Sequence, residues 1–97
     1  MPWEIRLENE NGKAIQILDE IFDYEELEKL TLPKFKVLEY IDPYGNTIFN
    51  CLQIDDLIAD LNLLRTISEQ EKAIKEIILL AEKCKAEVHT YLKFYGD

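Results

Sequence analysis

The sequence predicts a single α+β domain, a mainly antiparallel sheet of about five strands in the order ββαββααβ with an antiparallel helix pair packed on one face. Apolar residues recur at every second position at both ends of the chain and at helical spacing through residues 54–84. The 97 residues, 47% of them hydrophobic, suffice for one core and not for two.

At the N-terminus, Trp3, Ile5 and Leu7 alternate with Glu4, Arg6 and Glu8, the period of a half-buried strand, and Lys13 to Leu18 reads as its hairpin partner. A two-residue Asn11-Gly12 turn would pair Leu7 with Gln16 and set the two apolar sets on opposite faces. A three-residue loop, Glu10-Asn11-Gly12 with Gly12 left-handed, pairs Leu7 with Ile15 and Ile5 with Ile17 and unites them. The bulged hairpin is therefore expected.

Asp23 and Glu26 form a capping-box signature for a short helix through about Glu28, which must end before Pro33. Phe35 to Ile41 reads as a strand. Asp42-Pro43-Tyr44-Gly45 has the residues of a type I turn and leads into Thr47-Ile48-Phe49, so a second hairpin is expected. Asn50 with Gln53 caps a helix whose Ile54, Leu57, Ile58, Leu61 and Leu64 share a face. Ser68 with Glu71 starts another, with Ile74, Ile77, Ile78, Ala81 and Cys84 as its apolar stripe. On its outer face Glu71 and Lys75, and Lys72 and Glu76, stand four residues apart. The short connection around Thr66 and Ile67 makes the two helices antiparallel. From Val88 the period returns to two, with Val88, Thr90, Leu92 and Phe94 on one side and His89, Tyr91, Lys93 and Tyr95 on the other, which predicts a closing strand.

The longest aliphatic run, Ile77 to Ala81, is far too short to span a bilayer, and the N-terminus lacks the basic start and apolar stretch of a signal peptide. No membrane role and a cytoplasmic location are expected. Cys51 and Cys84 fall in apolar helical patterns and read as buried thiols. The net charge of −9 argues against direct nucleic-acid binding, which requires a basic patch, and points to a basic partner; the plainer alternative is that surplus carboxylates only keep the protein soluble.

Catalytic, metal and cofactor chemistry find little support. His89 is the one histidine, so sites with several imidazoles are excluded, and no Cys-x-x-Cys pair exists. A dyad of either cysteine with His89 would need an accessible thiolate in an electropositive pocket. Asp56 and Asp60 stand one helical turn apart and could share a magnesium ion, but acidic residues in the first turns of a helix also stabilise its dipole. Gly12, Gly45 and Gly96 are isolated and form no phosphate loop. No catalytic residue, metal ligand or cofactor is assigned.

The partner-binding candidates are acidic and aromatic. The run from Asp19 to Glu28 holds Asp19, Glu20, Asp23, Glu25, Glu26 and Glu28 with no base among them; Asp55, Asp56 and Asp60 form a second group. Each reads either as a solvated helix start or as a platform that steers a basic partner into contact. Tyr40, Tyr91 and Tyr95 fall on strand phases opposite the helix-facing core, with Lys36, Leu38 and Lys93. They predict an aromatic patch on the open sheet face, unless the first helix covers it.

The segment Tyr40-Ile41-Asp42-Pro43-Tyr44-Gly45-Asn46-Thr47-Ile48-Phe49-Asn50, the leucine-rich helix after it, and the ending Leu92-Lys93-Phe94-Tyr95-Gly96-Asp97 resemble a group of small acidic bacterial proteins without an assigned activity. The resemblance implies a bacterial source. In size and acidity the chain is also similar to immunity proteins that neutralise toxins. The function expected is thus a non-enzymatic, protein-binding one, most concretely an immunity- or antitoxin-like inhibitor covering the basic surface of a nuclease-type toxin. The alternatives are a phage-type mimic whose carboxylates imitate nucleic-acid phosphates, a module that forms a homodimer through the tyrosine face, and a magnesium-dependent enzyme.

Overall fold

The alternation at the N-terminus forms β1 (Pro2–Asn9), and the closing alternation forms β5 (Thr90–Tyr95). In the computed structural model, which describes residues 2–23, 35–42, 44–87 and 89–96, these two strands pair with each other at the centre of the sheet. β2 (Ala14–Ile17) flanks β1, β4 (Asn46–Phe49) flanks β5, and β3 (Phe22–Asp23) pairs with the start of β1. Every pairing is antiparallel. Two helices, α1 (Ile54–Arg65) and α2 (Glu71–Ala86), complete the α+β fold that the periodicity predicts. Lys85, in the last turn of α2, reaches Asp55, in the first turn of α1, at 2.6 Å, so the two helices run antiparallel.

The first hairpin has the predicted loop and a different register. The amides of Asn9 and Gly12 donate to the carbonyls of Lys13 and Asn9 at 2.9 and 3.0 Å, and Gly12 has φ +79°. The Asn9 side chain organises the loop by accepting from the Asn11 and Lys13 amides. A bulge then slips the register, so that Leu7 faces Gln16 and Arg6 faces Ile17, in place of the expected Leu7–Ile15 and Ile5–Ile17 pairs. β2 is an edge strand whose apolar side chains gain little by turning inward. Ile15 and Ile17 stay 44% and 46% exposed, whereas Gln16 accepts a hydrogen bond from Lys83 of α2.

Phe35 to Ile41 is not a strand, and the second hairpin is not formed. Phe35, Leu38 and Ile41 are buried at a spacing of three, and Leu38–Tyr40 is a 3-10 turn. The cause lies in α1. One Asp60 carboxylate accepts from three consecutive amides, Lys36 at 3.1 Å, Val37 at 2.7 Å and Leu38 at 3.0 Å, which requires a curled backbone. β4 accordingly pairs with β5. The turn before β4 is held by Asp42, whose side chain accepts from the Tyr44 amide and whose amide donates to Thr47 Oγ1. Gly45 leaves room there for the Asp42 side chain: a Cβ would stand 2.7 Å from Asp42 Oδ2, and the carboxylate would have to shift. Of the predicted first helix, Asp23 belongs to β3 and the remainder lies outside the described residues.

Asn50 and Gln53 close a turn ahead of α1 and do not cap it as predicted: the Leu52 amide donates to Asn50 Oδ1 and the Asn50 amide to Gln53 Oε1, while α1 begins at Ile54 with Gln53 as its N-cap and no side-chain cap bond. Ser68 accepts from the Gln70 amide, and α2 starts two residues later than its cap signature suggests, with Gln70 and not Ser68 as N-cap. Gln70 instead extends β3, accepting from the Asp23 amide at 2.6 Å and donating to its carbonyl at 3.2 Å. Phe94 lies at the centre of the core, edge-on to Trp3, Phe22 and Phe49 at 5.7–6.5 Å. Each such buried aromatic side chain contributes roughly 1.5–3 kcal/mol.

Candidate binding surfaces

The alternation of β5 sends Thr90, Leu92 and Phe94 into the core and Tyr91, Lys93 and Tyr95 to the other face of the sheet, as predicted. The pairings Glu4–Tyr95, Arg6–Lys93 and Glu8–Tyr91 then bring the polar side chains of β1 beside them, with Ile17 and Ile48 at the two edges. Among the described residues, every side chain on this face other than Glu8 is half-buried or exposed.

Its charges compensate one another. Arg6 pairs with Glu4 at 2.7 Å, and Arg6 and Lys93 lie over the Tyr95 ring at 4.9 and 4.7 Å. The Tyr95 hydroxyl donates to the Glu8 carboxylate, whose other oxygen lies 3.9 Å from Lys93 Nζ. Glu8 is thereby 3% exposed although it sits on the outer face. Sequence reasoning missed this; the signal present was the shared strand phase of Glu8, Lys93 and Tyr95.

Tyr91 stands between two hollows. One, of about 370 Å³, is lined by Asn50, Cys51, Leu52 and His89, with Tyr91 as one wall. The other, of about 260 Å³, lies between Tyr91, Ile48, Glu8 and Lys93. Cys51 is exposed here, contrary to the expectation of a buried thiol, because α1 begins at Ile54 and leaves residue 51 in the preceding turn. His89 adopts φ 60°, the left-handed conformation with which the chain reverses between α2 and β5, and its ring faces Glu10 at 3.7 Å.

Cys84 is buried as expected. Burial pushes its thiol pKa upward against the opposing effect of its bond to Thr90, and the Thr90 hydroxyl donates back to the Cys84 carbonyl at 3.0 Å.

The acidic candidates do not form one platform. Asp19 and Glu20 adjoin the N-terminal end of α2, where Lys72 meets Glu20 at 3.1 Å and not Glu76, its expected partner. Asp19, Glu20 and Glu76 line a hollow of about 160 Å³ beside Ile17 and Leu18. Asp23 is half-buried, its main chain bonded to Gln70; Glu25, Glu26 and Glu28 lie outside the described residues. Asp55 and Asp56 are at the other end of the helix pair, bonded to Lys85 at 2.6 Å and Lys36 at 3.5 Å. Lys72 and Lys85 are separated by about 20 Å of helix at 1.5 Å per residue, so the two acidic groups stand far apart. Asp60 leaves the surface set altogether: it is 4% exposed and occupied by the amides of residues 36–38. It cannot share a metal with half-buried Asp56 without giving up those bonds. Tyr40 is 71% exposed on the 3-10 turn and does not join Tyr91 and Tyr95 on the sheet, because its segment is not a strand.

Among the described residues, no group of three or more His, Cys, Asp or Glu is placed to hold a metal ion, and no helix is long and apolar enough to cross a membrane. In comparisons with known proteins, no family model, no curated protein and no solved structure matches the chain.

Proposed function

We propose that this chain is a non-enzymatic binding protein that covers the basic surface of another protein, in the manner of an immunity or antitoxin protein acting on a nuclease-type toxin. The observation that carries this reading is the hollow lined by Asp19, Glu20 and Glu76, in a chain of net charge −9. Asp19, Glu20 and Glu76 line it, Lys72 pairs with Glu20 and Lys83 bonds Gln16 of the same lining, so a lysine or arginine of a partner meets surplus carboxylate beside the aliphatic wall of Ile17 and Leu18. Charges so placed steer encounter and raise association rates more than they raise affinity.

The test is capture of a basic protein from the native lysate at low salt, followed by binding kinetics with the captured partner. The triple variant Asp19→Asn, Glu20→Gln and Glu76→Gln should slow association roughly tenfold with little change in dissociation, and added salt should produce the same loss in the native chain. Association insensitive both to salt and to the triple variant would overturn the reading.

A further inference from the structure

We propose that Cys51 and Cys84 form a thiol–disulfide switch: a low-molecular-weight disulfide reacts at exposed Cys51, and Cys84 resolves the adduct into an internal bridge between the turn before α1 and the end of α2. Both cysteines adjoin Thr90. The Cys84 thiol donates to the Thr90 carbonyl at 3.5 Å, and the Thr90 hydroxyl donates back to the Cys84 carbonyl at 3.0 Å. The β4–β5 register that sets Phe49 against Leu92 carries residue 51 to the position opposite Thr90. Cys51, Thr90 and Lys85, the neighbour of Cys84 in the chain, line the same hollow of about 370 Å³. A negative charge on Cys51 also adds to the upward push on the Cys84 thiol, a smaller effect than burial.

Exposure divides the roles. Cys51 is exposed and Cys84 buried, so a reagent in solution meets Cys51 first. The Cys51 thiolate attacks one sulfur of the reagent, forming a mixed disulfide and expelling one thiolate. The Cys84 thiolate then attacks the Cys51 sulfur and expels the second. The chain gives up two protons and two electrons, which leave with the reagent as two thiols. A bridge requires the two β carbons to come within about 3.5–4.5 Å of each other. The part that yields is the turn before α1, because Cys51 and Leu52 are exposed there and the bonds of Asn50 and Gln53 that close it lie at the surface. Cys84, by contrast, is packed in the core.

The test equilibrates the full chain with 2-hydroxyethyl disulfide and its thiol, quenches with acid and digests without reduction. Mass spectrometry should find the Cys51–Cys84 cross-linked peptide, with helical circular dichroism retained, alkylation of Cys51 lost, and both thiols restored by dithiothreitol. At a fixed thiol concentration the native chain should close the bridge with roughly tenfold less disulfide than the chain in denaturant, because the fold keeps the two sulfurs nearer than a flexible loop does. Cys84→Ala should stop at the mixed disulfide on Cys51, and Cys51→Ser should stay unmodified until it is denatured. A native chain that ends as the mixed disulfide, as Cys84→Ala does, overturns the proposal. So does a bridge that needs as much reagent in the fold as in denaturant, or one that forms only with loss of helix.

Discussion

Among the described residues, two carboxylates are buried, one on each side of the sheet, and they are used differently. Asp60, in α1, takes three main-chain amides from residues 36–38. Glu8, on the open face, takes the Tyr95 hydroxyl and lies near the Lys93 ammonium. Main-chain amides have no second use once the chain is folded, so Asp60 is committed to fixing a backbone path. Glu8 joins side chains on an outer surface, and the consequence is a neutral, ordered aromatic face. A carboxylate surplus therefore does not mark a binding site by itself; the partners of each acid decide what it does.

The sharpest way to break this comparison is Asp60→Ala, which leaves three amides without their acceptor. Hydrogen bonds to charged groups contribute about 1.5–3 kcal/mol each and stranded donors cost similar amounts, without simple additivity, so a loss of about 3 kcal/mol or more is expected in chemical denaturation. Hydrogen-exchange protection at Lys36, Val37 and Leu38 should vanish with it. Asp60→Asn, which retains one carbonyl acceptor, should fall between the two. An unchanged midpoint for Asp60→Ala would show that the 3-10 turn is held by Phe35, Leu38 and Ile41 alone.

On the open face the effects should be smaller. Tyr95→Phe removes one donor from Glu8 and keeps the ring under Arg6 and Lys93, so a cost of about 1 kcal/mol is expected. Glu8→Gln keeps an acceptor and removes a charge that Lys93 faces, for a similar cost and a net positive charge on the face. Glu8→Gln should change the environment of Tyr95, read by its ultraviolet absorbance, and in either variant hydrogen-exchange protection at Lys36, Val37 and Leu38 should stay as in the native chain. Loss of that protection would make Glu8 a structural carboxylate like Asp60.

Which of these features the sequence revealed follows from the range of the interaction behind each. β1, α1, α2 and β5 are legible because a run of local periodicity decides them, and the phase of β5 places Tyr91, Lys93 and Tyr95 on the outer face directly. Phe35 to Ile41 misleads because its apolar residues fit a period of two and a period of three, and the deciding partner, Asp60, lies more than twenty residues away. A clue existed: Asp60 belongs to the apolar stripe of Leu57, Leu61 and Leu64, where a carboxylate must find buried donors. The β2 register was not legible, since a bulge in an edge strand costs little and leaves no mark in composition. The splitting of the acidic candidates is likewise tertiary, because only the antiparallel helix pair sets Asp55 and Glu20 at opposite ends of α2.

The smallest effects come from the cysteines, which report on the two sides of the sheet separately. In dilute native protein Cys51 should take one alkyl group and Cys84 none, with both modified in denaturant; mass spectrometry counts the adducts. The pH dependence belongs to Cys84. Burial raises its folded-state pKa, so the unfolded chain releases the thiol proton first. The contribution to stability is therefore complete below the ordinary thiol range and is lost as pH climbs through that range toward the raised value. The denaturation midpoint should fall over that interval, and the fall should be shallower in Cys84→Ala than in the native chain. Cys51→Ser should leave it unchanged. A fall that survives in Cys84→Ala would have to be assigned to another group, and the helix side would lose its reporter.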